Sequence, residues 1–199
     1  MQDEAEVKMV EESDRLFNLR LTFPALQKNM NPQVGDICEV GFDISNSEVG
    51  YASIQVMPMI FRLVCTNGLR TQKALQILRK RHVGINFFQM QDFFTNIFDK
   101  DLSVMVEQME LMGNLQNYRV KNLETVMFNI AKNIGIPKRV PQKAILEIAT
   151  VRPTRYDVLN AFTATARDLP LHERLIVEEK VSDLLLFKNN AWENFEEAA

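Results

Sequence analysis

The chain has 199 residues, 46% of them hydrophobic and 25% charged, which is globular composition and excludes a disordered or low-complexity polymer. That length suffices for one ordinary core, or a core with a helical appendage. The formal net charge of −3 does not decide for or against a polyanionic partner, because the distribution of charge matters more than its sum.

The distribution is segmented. Residues 1–15 carry six acids against Lys8 and Arg15. Between Glu48 and Asp92 there is no acid, while Arg62, Arg70, Lys73, Arg79, Lys80 and Arg81 all fall inside. Residues 119–155 carry eight bases against Glu124 and Glu147, and acids dominate again from Asp168. Two basic blocks thus sit between acidic ends, either as solvated surface or as a phosphate-facing one.

Taken in order, residues 1–14 read as an acidic N-terminal segment, frayed or a short helix. The opening MQDEAEVK has no apolar core, so no secretory signal is expected. From Phe17 to Phe23 apolar residues alternate with Asn18, Arg20 and Thr22, a period of two that predicts a half-buried strand closed by Pro24. Cys38, Val40, Phe42 and Ile44 predict a second strand, with Glu39, Gly41 and Asp43 on its solvent-facing side. A third runs from Tyr51 to Cys65, where the apolar phase changes at Pro58 as at a bulge or an edge. The second and third strands are expected to form a hairpin, with the first beside them.

A corner at Thr66-Asn67-Gly68-Leu69 leads into an expected helix from Leu69 to His82. It carries Ala74, Leu75, Leu78 and His82 on one face, with Arg70, Lys73, Lys80 and Arg81 on another. Beyond it the pattern is helical: an aromatic stretch from Phe87 to Phe98, then Met105, Met109 and Met112 at helical spacing as a core stripe. A helix near Arg119 to Ile134 stops at Gly135. Pro141 suits the first turn of a short helix through Thr150. Thr154 with Asp157 opens another in a capping-box pattern. Pro170 ends that helix, and Leu171 to Phe187 forms the last substantial one. The expected organisation is α+β: a small antiparallel sheet from the first third, packed with a helical remainder. Residues 15–187 are taken as one domain between the 1–14 segment and an acidic tail at 188–199.

Chemistry-bearing motifs are sparse. There is no Walker loop, no G-x-G-x-x-G and no G-x-S-x-G, and nothing calls for a cofactor. With only His82 and His172 a histidine-rich metal site is excluded. Asp36, Glu39, Asp43 and Glu48 make a conceivable carboxylate site, although strand carboxylates four apart more often face solvent. His82 reads as a histidine satisfied by the core or by helix-end carbonyls, with ligand or general base as the alternative. Arg62 interrupts an apolar strand. It needs a partner, either Glu48 or Asp43 in an ion pair or a phosphate. Cys38 and Cys65 read as buried thiols. Tyr51, Phe87 and Phe88 are candidates for stacking on bases.

These residues carry a family likeness. Asn46-Ser47-Glu48 with Gly50, then Phe61-Arg62-Leu63-Val64-Cys65-Thr66-Asn67-Gly68, then Arg81-His82, resemble the signature of the phage/plasmid-like proteins catalogued as domain of unknown function 932. The run from Arg155 to Thr163 resembles that family's second block. Coverage extends from about Gly35 to Leu186, and this chain has a shorter region before the Asn-Ser block than the family pattern. The resemblance implies a gene carried by phages, plasmids or their bacterial hosts. It marks Asn46, Arg62, Cys65, Asn67, His82, Asn160 and Thr163 as motif positions, without supplying an activity.

The leading expectation is a non-enzymatic, cytoplasmic protein that binds single-stranded DNA in replication or recombination. Arg62, Arg70, Lys73, Arg79, Lys80 and Arg81 would contact phosphates, and Lys138, Arg139, Lys143, Arg152 and Arg155 would extend the track. One rival is a phage assembly or cargo protein, a homo-oligomer using its Met and Phe surfaces. The other is a metal-dependent nuclease or hydrolase using Asp43, Glu48 and His82. No segment is long and apolar enough to predict a membrane span.

Overall fold

A computed structural model describes residues 4–31, 35–47, 49, 53–64, 67–70, 78–80, 88, 105–187 and 191–197. The class is α+β, an antiparallel sheet in the first part of the chain and helices in the rest. Contacts divide it into two units, Met1–Val64 with Arg70–Met109, and Cys65–Leu69 with Glu110–Ala199.

The sheet unit is built from β1 (Glu6–Glu12), β2 (Phe17–Asn31), β3 (Asp36–Asn46) and β4 (Ile54–Arg62), each antiparallel to the next. Two short strands follow, β5 (Asn67–Arg70) and β6 (Leu78–Lys80), and β6 pairs with β4. The expected hairpin and its neighbouring strand are present, with Arg20 opposite Asp43 and Val40 opposite Ile60. On one face Phe23, Phe42 and Val56 form a buried cluster joined by Leu26 and Ile44. The Phe23 and Phe42 rings meet edge to face at 6.0 Å, an arrangement their quadrupoles favour.

Several local expectations are corrected. Of residues 1–14, expected to be frayed or helical, Glu6–Glu12 form a strand that pairs with β2 across a turn in which Ser13 N–H donates to Leu16 C=O at 2.9 Å. Pro24 does not close β2. The strand bulges between Phe23 and Gln27 and continues to Asn31, because the bulge absorbs the missing N–H. Pro58 causes no register shift. It sits opposite Phe42 in a strand that is buried on both faces, so the change of apolar phase reflects two-sided burial. The expected helix from Leu69 to His82 is replaced, where described, by strands at Asn67–Arg70 and Leu78–Lys80. Cross-strand pairing with β4 outweighs the helical periodicity there.

Gly41 has a steric reason to be glycine. It lies opposite Thr22, and a Cβ there would stand 1.9 Å from the Leu21 carbonyl oxygen. Gly35, in the β2–β3 connection, is needed instead for its φ of +68°.

A helix over residues 105–114 (α1) belongs to the sheet unit as far as Met109; the helical unit contains the rest of it, a 3-10 turn at Leu115–Asn117, and then α2 (Leu123–Ile134), α3 (Arg139–Glu147), α4 (Arg155–Ala166), α5 (Leu171–Phe187) and α6 (Ala191–Glu197). The expected methionine stripe is buried at Met105, Met109 and Met112. Helix α2 stops at Gly135, which is left-handed at φ 68°. Ile136 N–H reaches Ala131 C=O and Gly135 N–H reaches Lys132 C=O, the two bonds of a Schellman motif. Helix α4 starts with the expected capping box: Thr154 Oγ1 accepts from Asp157 N–H, and Thr154 N–H donates to Asp157 Oδ2 at 2.7 Å. It is buried on nearly every side, packed against α3, α5 and the 3-10 turn. The residues expected as a tail include α6, whose Trp192 and Phe195 are buried and whose indole N–H donates to Leu185 C=O at 3.0 Å.

Two glycine substitutions separate the two constraints. Gly41→Ala is expected to destabilise the protein by about 2–3 kcal/mol through overpacking against backbone. Gly35→Ala, with open space around its Cβ, is expected to cost only about 1 kcal/mol of left-handed strain. Urea denaturation of both variants checks the order, which reverses if the close approach at Gly41 is absent.

Candidate nucleic-acid interface

The face of the sheet expected to meet solvent is buried. Asn18, Arg20, Thr22, Glu39, Asp43 and Ser45 are all at most 4% exposed. Charge pairing across strands makes that burial tolerable. Asp43 Oδ2 accepts from Arg20 Nε at 2.9 Å, its Oδ1 accepts from Asn18 Nδ2 at 2.8 Å, and Arg70 Nη2 stands 3.2 Å from that same Oδ1. Glu39 accepts from Thr22 Oγ1 at 2.5 Å and lies 3.1 Å from Lys8 Nζ. Asp36 takes Arg62 in a two-point contact, Nε at 2.6 Å and Nη2 at 2.9 Å.

Two of the expected phosphate contacts are therefore held by the protein's own acids. Arg62 is in an ion pair, with Asp36 rather than with Glu48 or Asp43, and Arg70 is buried beside Asp43. An arginine so placed does not present its guanidinium to a ligand. The carboxylates Asp36, Glu39 and Asp43 are likewise each engaged by a cation. Among the described residues there is no group of three His, Cys, Asp or Glu side chains that would hold a metal. Arg79 and Lys80 lie on β6, opposite Gln55 and Ile54. Lys73, Arg81, His82, Cys65, Glu48, Tyr51 and Phe87 lie outside the described residues. Phe88 is exposed.

The second basic block behaves differently. Arg119, Lys121, Lys132, Lys138, Arg139, Lys143 and Arg152 are all exposed. Arg139 meets Glu173 at 2.7 Å and Lys143 meets Asp168 at 3.7 Å, surface pairs that contribute little. Lys138, at the start of α3, has no carboxylate within ion-pair distance among the described residues. Of the motif positions, Asn160 and Thr163 are buried within α4 and donate to their own helix, at Tyr156 C=O and Leu159 C=O. Asn46 ends β3, and Asn67 begins β5.

A compact cationic cluster forms where two extended segments meet. Arg119 and Thr154 make an isolated antiparallel bridge, reinforced by Val120 N–H to Pro153 C=O and Arg155 N–H to Tyr118 C=O, both 2.9 Å. Arg119 Nη1 also donates to Arg152 C=O. Val120 is buried, so Arg119 and Lys121 on either side of it turn outward beside Arg152. The Arg155 guanidinium is stacked between two rings, 4.8 Å from Tyr118 and 5.1 Å from Trp192. Trp192 is buried while Tyr118 is half exposed. Asp157, the acid nearest this cluster in sequence, is engaged in capping α4. The arrangement sets a half-exposed aromatic ring over one guanidinium and beside a junction of exposed bases, and stacking with phosphate contact is the chemistry that holds a single strand. Arg152 and Arg155 were expected on a phosphate track. Tyr118, Arg119 and Lys121 were missed, and the alternation of outward bases about Val120 was the signal available.

Comparison with protein-family models, with curated proteins and with solved structures finds no match.

Two stability experiments follow from the sheet network. Asp43→Ala leaves two buried guanidinium groups without their shared carboxylate and is expected to cost about 3–5 kcal/mol in denaturant unfolding. At Lys8, burial pulls the ammonium pKa down, but hydrogen bonds and attraction from Glu6 and Glu39 outweigh it and hold the pKa above the ordinary lysine value. A group raised on folding stabilises fully below its unfolded pKa and loses that contribution as the pH rises through the folded one. Replacing Lys8 with Met is therefore expected to flatten the alkaline limb of the stability–pH curve, with the pH dependence below roughly pH 9 unchanged.

Proposed function

We propose that this protein binds single-stranded nucleic acid, with DNA favoured, through the cluster of Tyr118, Arg119, Lys121, Arg152 and Arg155. The observation that carries the reading is the junction itself: four bases and a half-exposed tyrosine brought together by backbone hydrogen bonds between segments far apart in sequence. Stacking on Tyr118 supplies contact without base reading, since every base has a π face. The arginines and Lys121 neutralise phosphates, and Lys138 extends the cationic surface along α3. Arg155 contributes chiefly by holding the tyrosine ring, because its own guanidinium is stacked between two aromatics.

The likeness of Arg155–Thr163 to a block of phage/plasmid-like proteins bears on genetic context alone, since it supplies no activity. A phage- or plasmid-borne protein acting in replication or recombination is the corresponding context. The phosphate contacts assigned from sequence to Arg62 and Arg70 are not part of this proposal, since both side chains pair internally.

Fluorescence anisotropy with a labelled oligothymidylate checks it. Binding at low salt is expected to weaken steeply with added salt, because counterions are released. The triple variant Arg119→Glu, Lys121→Glu, Arg152→Glu is expected to lose at least about tenfold in affinity and to lower the log–log salt slope by about 2, from three lost phosphate contacts. Tyr118→Ala is expected to weaken binding by about fivefold or more, as loss of one stacked base does. Absence of binding at low salt, or a triple variant with unchanged affinity, overturns the proposal.

A further inference from the structure

The sheet unit carries a second surface, opposite in charge to the cationic cluster. Strand β1 pairs with β2 on one side only, and no other strand pairs with it among the described residues. Its outer backbone groups therefore form a template for another strand. The register shifts between Val7 and Met9, so that Val7 stands opposite Leu21 and Val10 opposite Leu19. Residues directly opposite in an antiparallel pair share a face. The bulge thus brings both valines to the side of Phe17, Leu19 and Leu21. Val7 is 60% and Val10 58% exposed, whereas the same face is fully buried at Val40 and Val56, so the apolar surface opens toward the β1 edge. Exposed acids Glu6 and Glu12 lie on the same strand, with Glu4 just before it.

At the end of β1 lies a cavity of about 370 Å³, lined by Glu12, Asp14, Arg15, Leu16, Phe17 and Asn46 among others. Its lining includes the exposed acids Glu12 and Asp14, the exposed Arg15, and Asn46, whose Oδ1 is closed off from solvent. An ammonium group carries three donors and a positive charge.

We infer that the β1 edge receives an extended, lysine-bearing segment of a partner protein, which adds as a strand beside Glu6–Glu12. Its apolar residues cover Val7 and Val10, and one lysine ammonium enters the cavity at Glu12 and Asp14. Main-chain bonds along the edge give affinity, and alternate side chains give selectivity. Charge decides the occupant. A polyanion is repelled by this strand, and a second copy would set acidic β1 against acidic β1, which like charges disfavour.

The test uses the full chain and an octapeptide alternating lysine and valine, titrated by isothermal calorimetry. Saturable one-to-one binding is expected, with at least about tenfold loss for an alternating glutamate–valine peptide. The chain variant Glu4→Lys, Glu6→Lys, Glu12→Lys is expected to reverse that preference. These are surface positions, and an unchanged thermal melt confirms the fold. In a second arm, a lysine–valine peptide N-methylated at alternate amides is expected to lose binding, because strand addition needs those donors. Equal binding of the methylated peptide, a preference that survives the charge reversal, or no binding to the parent chain overturns the inference. So does a homodimer in sedimentation that the same three substitutions dissolve.

Discussion

A carboxylate taken out of water in the middle of a sheet is tolerated only where cations and donors meet it at short range, and Asp43 is such a carboxylate. It is answered by Arg20 directly across β2, by Asn18 one pair further on, and by Arg70 at the end of β5. The Arg20 contact depends on register. A slip of one residue between β2 and β3 turns Arg20 to the opposite face and leaves both charges unmatched in a dry environment. The same slip moves Gly41 away from Thr22 and sets a side chain where only 1.9 Å of clearance to the Leu21 carbonyl exists. Electrostatics and sterics thus fix a single alignment. On the opposite face, Phe23, Phe42 and Val56 favour that alignment as well.

The network also explains why a window of one-sign charge misleads. The stretch from Val49 to Gln91 contains no acid, yet Arg62 and Arg70 find Asp36 and Asp43 upstream on β3. Neutralisation is a matter of which strands are neighbours, not of which residues are adjacent in the chain. In the 119–155 block the reverse holds. Its bases lie on short helices and on an extended junction whose inner side is apolar, and their side chains stay at the surface. Outward charge there follows from the burial of Val120, Val140 and Ala144 on the other side of the same segments.

Local rules made much of the fold legible. A period of two predicted β2, β3 and β4, Gly135 marked the end of α2, Thr154 with Asp157 marked the start of α4, and Pro170 preceded α5. What stayed hidden was long-range. Period two divides Asn18, Arg20 and Thr22 from Leu19 and Leu21, but it does not say which side is covered, and here the polar side is the more buried. Nor did the acidic residues 4–12 reveal a strand, because β1 owes its form to pairing with β2 rather than to its own propensity. The cationic cluster was half visible for the same reason. Arg152 and Arg155 stood out in a basic block, but only the hydrogen bonds from Tyr118 and Val120 bring the earlier residues to them.

Helix α4 has almost no wet side: Tyr156 and every residue from Val158 to Ala166 are buried. Its amide protons therefore meet solvent only when the helices around it come apart. Isotope exchange along α4 then clocks the opening of the whole helical unit, while the outer amides of β1 exchange through local motions. Thr154, which fixes the first turn of α4, sits at the border between these two regimes. Through Pro153, Thr154 and Arg155, the start of this enclosed helix anchors the surface loop that carries Tyr118 and Arg119.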